Sequence, residues 1–203
     1  MNRLHLLAAC AFLALPAFPQ AALTCTGKVV KAPLNPCDPA ATHKIDCTDV
    51  LLKSSTVTLS ASEGKVVDLT GTATVGACNV IDVASVAAAT YTHTLSAANQ
   101  FKLGTNVTFR GTGPFAGYIG ILVTGGSGFV PAANFGAVFV DLSNYVLLGP
   151  TLSLLGSYSV TATIPNNAGL IGGMIWSQSF WVNLLATPVT GALVNAQCFK
   201  IIS

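Results

Sequence analysis

The sequence predicts an all-β protein, a small disulfide-bearing β-barrel followed by an antiparallel β-sandwich. Three observations carry that reading. Short runs alternate apolar and polar residues with period two, which buries one face of a strand and wets the other. Gly, Pro and Asn interrupt these runs at short intervals, where a chain reverses. Beyond residue 21 no stretch sustains a helical period.

The chain opens on Met1, Asn2 and Arg3, then an apolar run over residues 4–18, then small residues at Ala21 and Ala22. Basic start, apolar core and small-residue exit describe a secretory signal peptide, read here as residues 1–21 with cleavage after Ala21 or Ala22. At about 15 residues the run is shorter than the roughly 20 that a spanning helix needs, so no membrane span is expected. Leu7-Ala8-Ala9-Cys10 fits a bacterial lipobox. Because the apolar run continues to Phe18, Cys10 reads instead as part of the signal core.

Residues 22–89 form the expected front module. It holds Cys25, Cys37, Cys47 and Cys78, with Cys198 far downstream. Export brings an oxidising environment, so disulfides are expected, and the absence of C-x-x-C spacing argues against zinc or redox use. Four cysteines allow three pairings. The preferred one joins Cys37 to Cys47 and Cys25 to Cys78, leaving Cys198 unpaired. Thr56 to Ser60 alternates, with Val57 and Leu59 on one face, and is expected as a strand. From Leu59 to Val86, Gly64-Lys65 and Gly76-Ala77 turns separate Val-rich strands.

Residues 90–203 form the expected back module, a charge-poor sandwich. Thr90 to Leu95 alternates, as does Asn106 to Arg110 with Val107 and Phe109 inward. Residues 118–123 and 136–141 are more continuously apolar, as strands covered on both faces are. Tyr158, Val160, Ala162 and Ile164 alternate with Ser159, Thr161 and Thr163. The boundary near Ala89 rests on composition: six of the seven acids precede Gln100, and the cysteine cluster ends at Cys78.

Charge is the unusual quantity. Only 8% of residues are Asp, Glu, Lys or Arg, against about 25% in an ordinary domain. From Gly111 to Ser203 the charges are Asp141 and Lys200 alone. Low charge removes the repulsion that keeps molecules apart, so a homo-oligomer or a contact with a cell surface or glycan joins a monomer as an expected state.

Two resemblances accompany this pattern. Ile164-Pro165-Asn166-Asn167, Leu170-Ile171-Gly172, Gln178 and Leu193-Val194-Asn195-Ala196 resemble the C-terminal β-sandwich module of secreted Planctomycetes-type bacterial proteins. That likeness covers about residues 101–203 and implies a sandwich outside the cell, with no defined activity. The front module, with Gly64-Lys65 before Val66-Val67-Asp68-Leu69-Thr70-Gly71, resembles an OB barrel. Such barrels bind oligonucleotides or oligosaccharides on one face. Between Ala22 and Ala89 there is no Phe, Tyr or Trp to stack a base, so nucleic acid is not an expected partner.

Candidate chemistry is sparse. Thr42 to Asp49 collects His43, Asp46, Cys47 and Asp49, yet no spacing matches a metal loop, so neither a metal nor a cofactor is expected. His93 reads as a packed strand residue. Gly126-Ser127-Gly128 lacks the G-x-S-x-G elbow of a serine hydrolase. Glycoside hydrolysis needs two facing carboxylates; Asp46 with Asp49 and Asp68 with Asp82 are the candidates. Trp176, Phe180 and Trp181 form the densest aromatic patch, with Trp176 and Trp181 on opposite faces as candidate surface-binding residues. No catalytic residues are assigned. The expectation is a secreted, non-enzymatic binding or cell-envelope protein; the alternatives are a small extracellular hydrolase, a carbohydrate-binding accessory or a self-assembling surface subunit.

Overall fold

A computed structural model describes residues 20–32, 37–97, 101–114, 117–132, 135–153, 156–183 and 186–203. Residues 1–19 of the expected signal segment, with Cys10, lie outside the described residues. The first strand, β1 (Gln20–Lys31), alternates Leu23, Cys25, Gly27 and Val29 inward. Its length lets it pair with two neighbours, β2 (His43–Ile45) through Val29–Lys31 and β4 (Val66–Thr74) through Gln20–Lys28. With β3 (Leu51–Lys53) and β5 (Val80–Ala88) these strands close a barrel in the order β1-β2-β3-β5-β4. Only β3 and β5 run parallel. This is the OB-like barrel that the front module resembles, and its interior is Leu23, Val29, Ile45, Leu52, Leu69 and Ile81. Gly71 serves the closure: a Cβ there would lie 2.1 Å from the Asp82 carbonyl oxygen, so only glycine lets β4 and β5 meet at their register shift.

One strand expected in the barrel does not form. Around 56–60 the chain turns instead and enters a 3-10 turn, Leu59–Ser62, that puts Leu59 into the barrel core. The Ser54 hydroxyl accepts from the backbone N–H of Thr56 and of Val57 at 3.1 and 2.9 Å. A side-chain oxygen thus takes the bonds that a ladder would have used.

Among the described residues nine strands follow: β6 (His93–Ala97), β7 (Asn106–Thr112), β8 (Gly117–Thr124), β9 (Ser127–Ala132), β10 (Gly136–Val140), β11 (Tyr145–Ser153), β12 (Ser157–Thr163), β13 (Met174–Asn183) and β14 (Thr190–Lys200). A four-stranded antiparallel sheet, β11-β8-β13-β14, packs on a three-stranded one, β12-β7-β6. Val107, Phe109, Ile119, Ile121, Tyr158 and Phe199 fill the space between them. Gly149-Pro150 falls inside β11, where the register with β8 shifts.

The β9–β10 hairpin joins barrel to sandwich. Every residue of β10 is buried. Ala137 and Phe139 enter the barrel's cluster, while Val138 and Val140 pack with Leu193 of the four-stranded sheet. Gly136, at φ +108°, takes a backbone conformation that side chains rarely adopt, and it lies between the carbonyl oxygens of Thr24 and Leu193. One apolar core therefore runs across the seam.

The cysteine pairing differs from expectation. Cys37 bonds to Cys78 and Cys47 to Cys198, while Cys25 is free and buried. Cys25 could not pair with Cys78, because alternation along β1 turns its side chain into the barrel. Cys198 is no spare thiol; β14 brings it beside the β2–β3 turn and it staples sandwich to barrel.

Candidate functional site

At the seam, one wall of the barrel faces the sandwich across a cleft of about 490 Å³. Strands β1 and β4 supply Thr24, Thr26, Asp68 and Thr70; the β5–β6 connection supplies Thr90 and Tyr91; Phe135, Gly136 and Leu193 close the far side. The hydroxyls and the carboxylate line up because Thr26 and Asp68 are register partners and Thr24 lies opposite Thr70. Even-numbered residues of both strands point outward while Leu23, Cys25, Val67 and Leu69 point in.

Asp68 organises the cleft. One oxygen accepts from Thr26 Oγ1, the other from the Thr90 N–H and Thr90 Oγ1 at 2.9 and 2.8 Å. The carboxylate thus holds the β5–β6 connection against the barrel and places Tyr91, whose ring meets Trp181 edge-on at 5.4 Å. Among the described residues no Lys, Arg or His lines the cleft. Beneath it the Cys25 thiol is pushed up to about 12, by burial first and the Asp68 charge second, and is neither nucleophile nor ligand there.

A more catalytic-looking group lies inside the sandwich. His93 Nε2 is 3.0 Å from Ser177 Oγ, and His93 Nδ1 is 2.7 Å from the Tyr158 hydroxyl. Its ring lies nearly parallel to those of Phe109 and Tyr158, with centroids 6.0 and 6.2 Å away. Ser–His contact is the first requirement of an activated nucleophile. Yet His93 and Ser177 have no solvent exposure at all, and desolvation lowers the imidazole to about 3. A group that no substrate can reach is a tie between the sheets, with Asn195 bonding the His93 backbone from the side.

The other candidates are dispersed. His43 contacts Glu63 at 2.9 Å and Thr42 at 2.7 Å; Asp46 pairs with Lys28 at 2.9 Å. Asp82 is a partner of Thr72, so Asp68 stands four residues further along β4, roughly 13 Å away at strand rise. That exceeds the span two glycosidase carboxylates bridge. Trp176 donates from Nε1 to the Cys47 carbonyl at 2.8 Å, and Trp181 packs into the sandwich core. Both indoles are half-buried in packing, one on each side of β13 as their alternation requires, rather than displayed on the surface.

The residue that the sequence reading passed over is Tyr91. Its only local signal was alternation in Thr90-Tyr91-Thr92, which reads as strand; its cleft position depends on Asp68, distant in sequence. The barrel's loops also matter here. In OB barrels the β1–β2 and β4–β5 loops flank the ligand face, and Cys37–Cys78 ties those two loops together. The seam cleft lies elsewhere, on β1 and β4. No family model matches the chain, and no curated protein or solved structure matches it.

Proposed function

We propose that this is an exported, non-enzymatic binding protein whose ligand site is the seam cleft and whose ligand is a neutral, hydroxyl-rich glycan. The observation that carries the reading is the cleft's lining: a carboxylate acceptor, four threonine hydroxyls and the rings of Tyr91 and Phe135, with no cation among the described residues. Hydroxyl-rich ligands are recognised by such acceptors and donors beside a ring face. Anionic ligands would meet Asp68 unopposed. Export is supported by the apolar segment at 4–18, by two disulfides and by the resemblance of the C-terminal half to modules of secreted bacterial proteins. Among the described residues no helix is long and apolar enough to cross a membrane.

The test is a glycan array probed with the purified protein, followed by calorimetric titration of the best ligand. Asp68→Asn keeps an acceptor and lowers its strength; Tyr91→Ala removes its ring. Each is expected to weaken binding at least about tenfold, the equivalent of roughly 1.4 kcal/mol. An array without a hit, or binding indifferent to both substitutions, would overturn the proposal.

A further inference from the structure

We infer that the open side of the sandwich, where β11 and β12 are the edge strands of the two sheets, is the surface on which two copies of this chain associate. The two sheets are stacked so that β11 lies over β12 and β14 over β6. At the β14 end the edge is occupied: the Leu193 N–H donates to Phe135 at 2.7 Å, and Asn195 bonds the His93 backbone. At the other end both edges stand open. Among the described residues, the outward backbone groups of 145–148 in β11 and of 158–163 in β12 meet no partner.

Edge strands are ordinarily blunted by charge, proline or a bulge. Here no charged residue occurs between Asp141 and Lys200. β11 carries both a proline, Pro150, and a register shift beyond Leu148, whereas β12 carries neither. Apolar side chains border the same edge. Val146 is 60% exposed and Leu147 38%, while Leu152 at 42% sits beside its register partner Tyr118 at 44%.

The partner follows from charge. A foreign surface of ordinary composition, about one residue in four charged, would have to desolvate those charges against two edge strands that carry none, with Arg110 one strand in from β12. A second copy brings the same neutral edge, with the donors and acceptors of two strands to match. Like meeting like also closes the assembly at two, as an isologous contact does. Extension of each sheet across the contact leaves the seam cleft, on the barrel, untouched.

Sedimentation of the purified protein over a concentration series tests this. The expected result is a species of two chains, converted to one chain by Val146→Lys combined with Leu152→Lys and unaffected by Ala84→Lys on the exposed face of β5. Far-ultraviolet circular dichroism and thermal midpoint report whether the double variant is folded. Should it not fold, hydrogen exchange of the unaltered protein decides. Amides of 145–148 and 158–163 are expected to exchange more slowly as concentration rises. A one-chain mass at every concentration, which would leave the edge to water or to a different protein's strand, overturns the inference. So does a dimer that survives the folded double variant, or exchange at both strands that ignores concentration.

Discussion

His93 shows how a single side chain carries a cost and a benefit together. Its ring nitrogens bond Ser177 and Tyr158 and its ring faces pack on aromatic carbon, but burial holds the imidazole at about 3 instead of 6.5. As pH falls below 6.5 the unfolded chain takes up a proton that the native protein refuses until near 3. Stability therefore drops across that window at about 1.4 kcal/mol per pH unit from this residue, and is constant above it. Asp38, lowered chiefly by its bond to Lys53, and Asp141, lowered by the Ser143 N–H and hydroxyl, act only near and below the ordinary carboxylate range. Urea unfolding at pH 7, 5.5 and 4.5 should show the decline, and His93→Gln should flatten it while lowering stability at pH 7. An unchanged slope in that variant would place the proton uptake on another group.

Two buried carboxamides do at the scale of elements what a missing strand would have done. Gln178, on β13, accepts from the Phe139 N–H at 2.8 Å and donates to the carbonyls of Ala137 and Val194, both at 2.7 Å. Asn195, on β14, accepts from the His93 N–H at 2.8 Å and donates to the His93 carbonyl at 2.9 Å. Each carboxamide sets a carbonyl acceptor beside N–H donors in one plane, much as a peptide group does, so each completes the ladder of a strand it lies beside. Gln178 clamps the doubly buried β10; Asn195 clamps β6. Gln178→Leu, similar in volume, leaves one N–H and two carbonyls of the backbone without this partner and is expected to cost about 3 kcal/mol in chemical denaturation. Ile171→Ala, 48% exposed and outside both sheets, should cost less than about 0.5 kcal/mol. Equal effects from the two would show that the amide bonds do not hold the hairpin. Gln178 and Asn195 are both visible in the pattern that the C-terminal half resembles, but their clamping role is not, since the groups that they satisfy lie on other elements.

For the whole molecule the decisive links are the seam core and the two disulfides. Cys37–Cys78 closes a separation of 41 residues inside the barrel, and Cys47–Cys198 one of 151 between barrel and sandwich. Loop-closure entropy assigns them about 4 and about 5 kcal/mol respectively. Cys47→Ser with Cys198→Ser is expected to lower the thermal midpoint more than Cys37→Ser with Cys78→Ser. The reverse order would mean that the seam core holds the molecule without its staple. The barrel's strands end at Ala88 and the next strand begins at His93, yet Phe129, Ala137, Phe139 and Ala196 belong to the same apolar cluster as the barrel interior. Barrel and sandwich differ in composition while sharing a core.

The sequence by itself determined the all-β architecture, the burial of 136–140 on both faces and the inward set Val107, Phe109 and Tyr158. Period-two alternation and turn residues act over a few neighbours, and the side-chain direction that they impose is local. It missed the 3-10 turn at Leu59–Ser62 because Ser54, which redirects the chain, competes through a hydroxyl that alternation does not register. Tertiary structure alone decided which cysteines meet, that Tyr91 rather than either tryptophan reaches the cleft, and that Asp68 holds it there. Those outcomes depend on how closed strands bring residues far apart in sequence within a hydrogen bond or a disulfide length of one another. Pairing in space is set by register and barrel closure, and no local pattern in β1 or β14 encodes it.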